Sequence, residues 1–516
     1  MKRSWAPALA GVVAGVVTVG AATLLAGVLS RLATSSSTAS PVVAVGGAFV
    51  DRTPPWLKDF AVNAFGTRDK LALFVGMGLV LAILCALIGW WGARRPVAGL
   101  VAFALLGAVG AAAVLSRPGS AGGDVIPTVV GTLLGLWTLS TLWGRAGTRA
   151  DVVSRGGAGQ SLLDRRGFLA MGGVLAALGV VATAAGQRFG GRTQQVLAAR
   201  EKLRVPRVAH PVRVPSSAQL SVPGISPYVV SGQDFYRIDT ALVVPQVDPA
   251  TWRIRVHGMV RREVTLTWDQ LLAKPMQQQL TTLTCVSNEV GGDLVGNAVW
   301  TGWPVREILA EAGVEPGADM VLSRSEDGWT AGTPLTALTD DRNALLAVGM
   351  NGRPLPLEHG FPVRLVVPGL YGYVSATKWV VDLKLTTFAR DMGYWTDKGW
   401  SARGPIKTAS RIDVPRSGAT VDAGTVAVAG VAWAQHRGID KVEVRVDDGP
   451  WRQARLAAEP SIDAWRQWVL PWEATHGSHT LSVRATDGDG NLQTSAHAIP
   501  APNGASGWHT VTVTVR

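Results

Sequence analysis

The chain contains two cysteines, and one of them, Cys285, stands where a thiol could do chemistry. The run Thr281-Thr282-Leu283-Thr284 reads as a short β-branched strand that delivers Cys285 to the mouth of a Gly-rich loop. A strand-to-loop junction on a rigid support is where nucleophiles and ligands are commonly mounted. The chain then passes through Trp300 into a short helix, with Pro304 near its first turn and Gly313 just past its end. Val305, Ile308, Leu309 and Ala312 give that helix one apolar face, so it packs behind the loop as scaffold. Taken alone, a single free thiol is more often an inert buried residue than a ligand. Cys85 lies inside an apolar run and reads as a small buried hydrophobe, so no disulfide framework is expected.

The elements that position this thiol begin with a change of composition. Residues 1–190 are dominated by Ala, Val, Leu and Gly and form a transmembrane bundle of about five helices. The apolar runs are Ala6–Ser30, Leu71–Gly92, Val97–Ser116, Val125–Trp143 and Gly167–Gly186. Pro41–Val50 is too short to span and reads as interfacial or re-entrant. With Lys2 and Arg3 cytoplasmic, alternation puts Arg94, Arg95, Arg145, Arg149, Arg155, Arg165 and Arg166 on the same side. The outer loops mix Arg52, Lys58, Arg68 and Lys70 with Asp51, Asp59 and Asp69. Everything after Gly186 is then extracytoplasmic, on a multi-pass protein of the plasma membrane. No His precedes His210, so a bis-histidine haem is not expected in the bundle. Its glycine spacings serve helix packing.

Asp164-Arg165-Arg166-Gly167-Phe168-Leu169 has two readings: a pair of cytoplasmic anchoring arginines, or a motif resembling the twin-arginine export signal, retained as an anchor. Residues 191–227 form a basic linker rich in Pro, Ser and Val. The formal charge of +12 is scattered or set beside apolar spans, without a basic-aromatic stripe, which argues against nucleic acid. From Tyr228, Trp252–Val256 and Val264–Trp268 alternate as strands and Asp269–Leu272 starts a short helix. Strands and helices mix without βαβ regularity, which gives an α+β domain over residues 228–404.

Three separated blocks in this domain carry a resemblance. Asp234-Phe235-Tyr236-Arg237-Ile238-Asp239 leads to Pro245 and Val247-Asp248-Pro249. Cys285 precedes Ser287-Asn288, Gly296-Asn297-Ala298, Trp300-Thr301-Gly302 and Pro304. His359-Gly360-Phe361-Pro362-Val363-Arg364 precedes Val367-Pro368-Gly369 and Lys378-Trp379. Over about Phe235 to Phe388 the chain resembles the sulfite oxidase family of molybdopterin-dependent oxidoreductases.

The resemblance implies that Cys285 is the thiolate on molybdenum, beside one pterin dithiolene. It implies that His359, Arg364, Lys378, Ser375 and Asn288 hold the cofactor and that Arg237 faces the substrate. Trp300 and Asp397 fall at the substrate pocket by the same resemblance, although a Trp here reads equally as plain core. Soft anionic sulfur suits the metal, Arg and Lys suit a phosphate, and a Cys among cationic groups is expected to stay deprotonated. Singly, each of these residues also reads as ordinary surface charge or a satisfied core His. Two departures weaken a pocket for a small dianion. Glu289-Val290 stand where the family has a second arginine, and Thr396-Asp397-Lys398-Gly399-Trp400 lacks its tyrosine.

Residues 405–516 turn to pure β, with Val426–Val431, Val442–Val446, Thr480–Arg484 and Val511–Val515 alternating and Asp448-Gly449 as a hairpin turn. Trp451, Trp465, Trp468 and Trp472 are expected to fill an immunoglobulin-like sandwich. Such a domain pairs two chains in the family, which implies a homodimer. Asp487, Asp489 and Asn491 read as a turn, since no Glu closes a calcium loop. The leading reading is oxygen-atom transfer to or from a small substrate, with electrons exchanged through a one-electron carrier or quinone. The alternative is a non-catalytic, membrane-anchored protein whose sandwich binds a partner.

Overall fold

The computed structural model describes residues 5–31, 40–54, 69–117, 120, 122–145, 160–189 and 192–516. It divides into two compact units, Met1–Leu197 with Ala241–Gln246, and Ala198–Thr240 with Val247–Arg516. Lys2, Arg3, Lys58, Asp59, Arg68, Arg149 and Arg155, used above to orient the bundle, lie outside the described residues.

The first unit contains five helices long and apolar enough to cross a bilayer: Ala6–Leu29, Lys70–Gly92, Pro96–Leu115, Gly122–Arg145 and Gly167–Gly186. Pro41–Arg52 is a separate 12-residue helix. At about 1.5 Å per residue it is too short to span. The first helix approaches two others at glycine. A Cβ on Gly20 would come within 2.2 Å of the Gly179 carbonyl oxygen, and one on Gly11 within 1.9 Å of that of Cys85. Without a hydrophobic drive inside lipid, such backbone approach is what holds helices together.

The expected linker is more ordered than its Pro- and Ser-rich text suggests, since it contains the helix Arg192–Lys202, which runs across the boundary between the units. The cofactor-domain part of the second unit has two sheets. One runs β2-β1-β10-β5-β6, from β1 (Arg253–Gly258), β2 (Val264–Thr267), β5 (Met320–Ser325), β6 (Thr330–Pro334) and β10 (Val380–Thr386). The other runs β3-β4-β7-β8, from β3 (Gln277–Thr284), β4 (Val295–Pro304), β7 (Leu345–Met350) and β8 (Arg353–Pro354), with β9 (Arg364–Val366) also on β7. Only β1 and β10 pair in parallel within these two sheets.

The helix expected after Pro304 spans Val305–Ala312, and its buried residues are Val305, Ile308, Leu309 and Ala312. Gly313 ends it in the left-handed region at φ 71°, where a side chain is disfavoured.

The remaining strands form two facing sheets. One is β11-β13-β17-β16 and the other β12-β19-β18-β14-β15. Their ranges are β11 Ala409–Val414, β12 Thr420–Val421, β13 Gly424–Trp433, β14 Ile439–Val446, β15 Arg452–Gln453, β16 Arg455–Leu456, β17 Arg466–Ala474, β18 Gly477–Asp487 and β19 His509–Val515. Val428, Trp468 and Leu470 from one sheet share a buried core with Val442, Val444, Leu481, Val483 and Val511 from the other.

Two of the four tryptophans expected in that core lie elsewhere. Trp451 is half-buried against Trp508, with the Arg445 and Arg484 guanidinium groups near its ring. Trp465 is buried but faces the cofactor domain, where its indole N–H donates to the Tyr228 carbonyl at 3.0 Å. Its backbone N–H donates to Thr282 Oγ1 at 2.8 Å. The Asp487 loop is a turn, its carboxylate accepting the N–H groups of Asp489 and Asn491.

Candidate active site

Cys285 is the first residue after β3, and short hydrogen bonds fix its backbone. Its N–H donates to the Leu294 carbonyl at 2.9 Å, and its own carbonyl accepts the Asn288 N–H at 3.1 Å. Asn288 closes the same loop by accepting the Leu294 N–H on Oδ1 at 2.8 Å. β3 itself is an edge strand, buried from Gln279 to Thr284, and loops between the C-terminal strands bond its open edge. Asp463 accepts the Thr282 N–H at 2.9 Å, and Ser461 and Gln435 donate to the Leu280 and Thr282 carbonyls.

Around Cys285 lies a cavity whose lining includes His359, Arg364 and Lys378. His359 is buried in the turn Leu357–His359, and Nε2–H donates to the Gly232 carbonyl at 2.9 Å. That bond assigns the tautomer and leaves Nδ1 an acceptor. Burial, reinforced by Arg364 and Lys378, pulls the imidazole down to about 4, so it is neutral at physiological pH. Arg364 sits in β9 in register with Ala347. It is 5% exposed, and its guanidinium donates only to the carbonyls of His359, Leu365 and Ala376. It also stacks 5.0 Å from the centre of the Trp300 ring. Burial lowers it to about 10, so it stays cationic. Lys378 is lowered to about 8, chiefly by burial, against the pull of Asp239 at 2.7 Å.

Gly360 lets these groups converge. Its φ is 107°, and a Cβ there would lie 3.0 Å from Arg364 Cβ and 3.1 Å from Lys378 Cβ.

The thiol behaves differently from the expectation of a thiolate held by cations. Burial pushes Cys285 up, and the opposing pull comes from Ser287 through its backbone and hydroxyl, not from Arg364 or Lys378.

Other expected site residues fall outside the cavity lining. Arg237 is partly exposed and pairs with Asp239 at 2.9 Å. Ser375 is fully buried, and its hydroxyl donates to the Leu370 and Tyr371 carbonyls, which holds the turn before it. Asn288 shapes the cysteine loop. Trp300 is core, its indole N–H donating to the Thr281 carbonyl at 3.1 Å, and it meets the site only as the surface beneath Arg364. The Asp397 side chain is 67% exposed.

Sequence reasoning missed Asp239, Asp327, Tyr236, Tyr373, Trp329, Trp395 and Trp400 as lining. The acid beside Arg237 was legible as part of the block Asp234–Asp239, but its pairing with a lysine far along the chain was not. Tyr236 and Tyr373 bring two phenols to the cavity from positions other than the one the family resemblance indicates. Among the described residues the Tyr236 hydroxyl has no hydrogen-bond partner, and its ring stacks on Phe235 at 5.2 Å.

The donor set fits an anionic cofactor carrying a soft metal. Arg364 is a buried cation with no carboxylate partner among the described residues, and a sulfur donor lines the same cavity. An α+β domain with a thiol and a cationic cradle at the end of an edge strand defines a class of cofactor-dependent oxidoreductase, and comparison gives it a family.

The profile of the oxidoreductase molybdopterin binding domain matches residues 241–395. The chain is 34% identical over 157 residues to the uncharacterized oxidoreductase YuiH of Bacillus subtilis (strain 168), covering 30% of this chain and 76% of that one. It is 30% identical over 301 residues to the mitochondrial sulfite oxidase of Homo sapiens, covering 49% of this chain and 55% of that one. The sulfane dehydrogenase SoxCD from Paracoccus pantotrophus shares the fold, with a TM-score of 0.50 at 22% identity over 59% of this chain and 92% of that one. The chain belongs to the sulfite oxidase family of molybdopterin-dependent oxidoreductases. It spans about 55% of the length of the human sulfite oxidase it matches.

Proposed function

We propose that this protein is a membrane-anchored molybdenum oxidoreductase whose site lies outside the cytoplasm and reduces a small sulfoxide. The observation that carries the cofactor assignment is the meeting of Cys285, His359, Arg364 and Lys378 on one cavity from separated segments. Cys285 supplies the metal ligand. Arg364 and Lys378 take the pterin phosphate, Arg364 as a fork and Lys378 as a point charge. His359, neutral and with Nδ1 free to accept, takes a donor on the pterin.

When bound, molybdopterin supplies two-electron oxygen-atom transfer. The chain's own residues do the rest. The Ser287 backbone and hydroxyl bonds favour the thiolate form of Cys285, the form that would hold a metal. Trp300 and Phe235 hold the cradle rigid, with ring centres 5.6 Å apart and Phe235 edge-on to His359 at 5.6 Å.

In sum, a sulfoxide, two electrons and two protons give a thioether and water. The electrons come from a quinol or a one-electron carrier. Sulfite oxidation is the less supported direction, because Glu289-Val290 stand where the family has a second arginine and the lining adds the carboxylate Asp327. The five apolar helices support the anchor, and the two facing β-sheets with a common core support the immunoglobulin-like reading.

The test is metal analysis of detergent-purified protein from cells that make the cofactor, followed by turnover with an artificial electron carrier. Near one molybdenum per chain, lost in Cys285→Ser together with sulfoxide turnover, is the expected result. Metal and turnover unchanged by that substitution would overturn the assignment.

A further inference from the structure

Resting on that reading, the geometry points to an aromatic wall that selects the substrate's organic substituents. We infer that Trp395, Trp400 and Tyr373 hold the alkyl or aryl groups of an uncharged sulfoxide.

The cavity lining is chemically divided. His359, Arg364 and Lys378 have their ring contacts with Phe235, Trp300 and Trp379 respectively. A second aromatic set shares none of these contacts. Trp400 lies 6.0 Å from Tyr373 and 6.2 Å from Trp395, and Trp395 meets Tyr394 edge-on at 5.2 Å. This set is fixed by its own backbone. The Trp400 N–H donates to the Trp395 carbonyl at 3.1 Å, Gly399 turns the chain at φ 94°, and the Tyr373 hydroxyl donates to the Ser401 carbonyl. Trp395, Trp400 and Tyr373 all line the cavity, so they border whatever enters it.

Charge excludes the other class of occupant. Of the cations that line the cavity, Lys378 is paired with Asp239, and both it and Arg364 are assigned to the cofactor phosphate. His359 is neutral, Asp239 is held between Lys378 and Arg237, and Asp327 adds a carboxylate. An inorganic dianion would meet carboxylates and indole faces. A neutral sulfoxide would place methyl, aryl and polarisable sulfur against those faces, contacts that aromatic rings favour.

The experiment uses the purified holoenzyme, with Trp400→Leu, Trp395→Leu and the ring-keeping control Trp400→Phe. Molybdenum per chain is measured first. Binding of methyl phenyl sulfone, a non-reducible analogue, is then measured by calorimetry, and kcat/KM for methyl phenyl sulfoxide, dimethyl sulfoxide and sulfite by turnover. The expected result is undiminished molybdenum, sulfone binding at least tenfold weaker in each leucine variant, and a loss under threefold in Trp400→Phe. kcat/KM should fall further for the phenyl than for the dimethyl substrate.

Loss of molybdenum in the leucine variants would overturn the inference by showing that the wall serves the cofactor. Unchanged sulfone binding, or a parent that prefers sulfite, would overturn it as well. A parent without molybdenum would instead defeat the cofactor assignment itself. Should one leucine variant not fold, the other carries the test together with Tyr373→Leu, and unchanged sulfone binding in both would refute the inference.

Discussion

Arg364 carries its charge into a site that offers it only carbonyl oxygens and an indole face. The drop from 12.5 to about 10 means that burial outweighs those partners, by about 3 kcal/mol at neutral pH. A residue kept at that cost is serving something other than the fold. Arg364→Met should therefore purify with at least tenfold less molybdenum, while its metal-free form melts no lower than the metal-free parent. Retained metal would show that the cradle lies elsewhere.

Lys378 gives a pH signature. Its folded value of about 8 lies below the ordinary 10.5, so the folded protein loses this proton first as pH rises. The buried charge costs stability below pH 8, and that cost is relieved between about 8 and 10.5. Phosphate binding runs the other way, since it needs the charge. Loading of metal-free protein with cofactor should decline as pH climbs through about 8, and Lys378→Arg should flatten the decline. Cys285, His359, Arg364 and Lys378 were singled out through the family resemblance, and the structure places all four on one cavity. Asp239 and the tryptophans of the wall were not legible in sequence, because a partner 139 residues away and a ring's orientation leave no local pattern.

Among the elements, β3 depends most on distant parts of the chain. Sequence reasoning found Thr281–Thr284 as a strand and the helix after Pro304 with its buried face, since periodicity and caps are local signals. It could not show that β3 is an edge, or that residues 435–465 cover that edge. Trp300 was ambiguous for a related reason. β4 is buried on nearly its whole length, so alternation does not separate pocket from core. The covering has a consequence. A chain ending at residue 404 leaves the Thr282 N–H and the Leu280 and Thr282 carbonyls unpaired on an exposed, β-branched edge. Such a truncation should elute as aggregate on size exclusion and bind no molybdenum. A soluble, metal-loaded monomer would show that the edge is closed without the sandwich.

For the whole molecule, the decisive quantity is which side of the membrane each unit occupies. Among the described residues the candidate spans number five, and if all five cross, the segments flanking the set lie on opposite sides of the membrane. Arg94 and Arg95 stand in the tight connection between the second and third spans, and Arg145 ends the fourth. In the proposed topology the positive-inside tendency assigns those positions to the cytoplasm and the residues after Gly186 to the outside. Single cysteines can read this in intact cells with a membrane-impermeant maleimide. Ser417→Cys, on an exposed turn of the second unit, should label without permeabilisation, and Ala93→Cys only after it. Cys85 and Cys285 are buried, and the parent supplies the background. The reverse labelling would put the site in the cytoplasm, where a reduced-quinone supply from the outer face could not reach it, and the anchor would need another purpose.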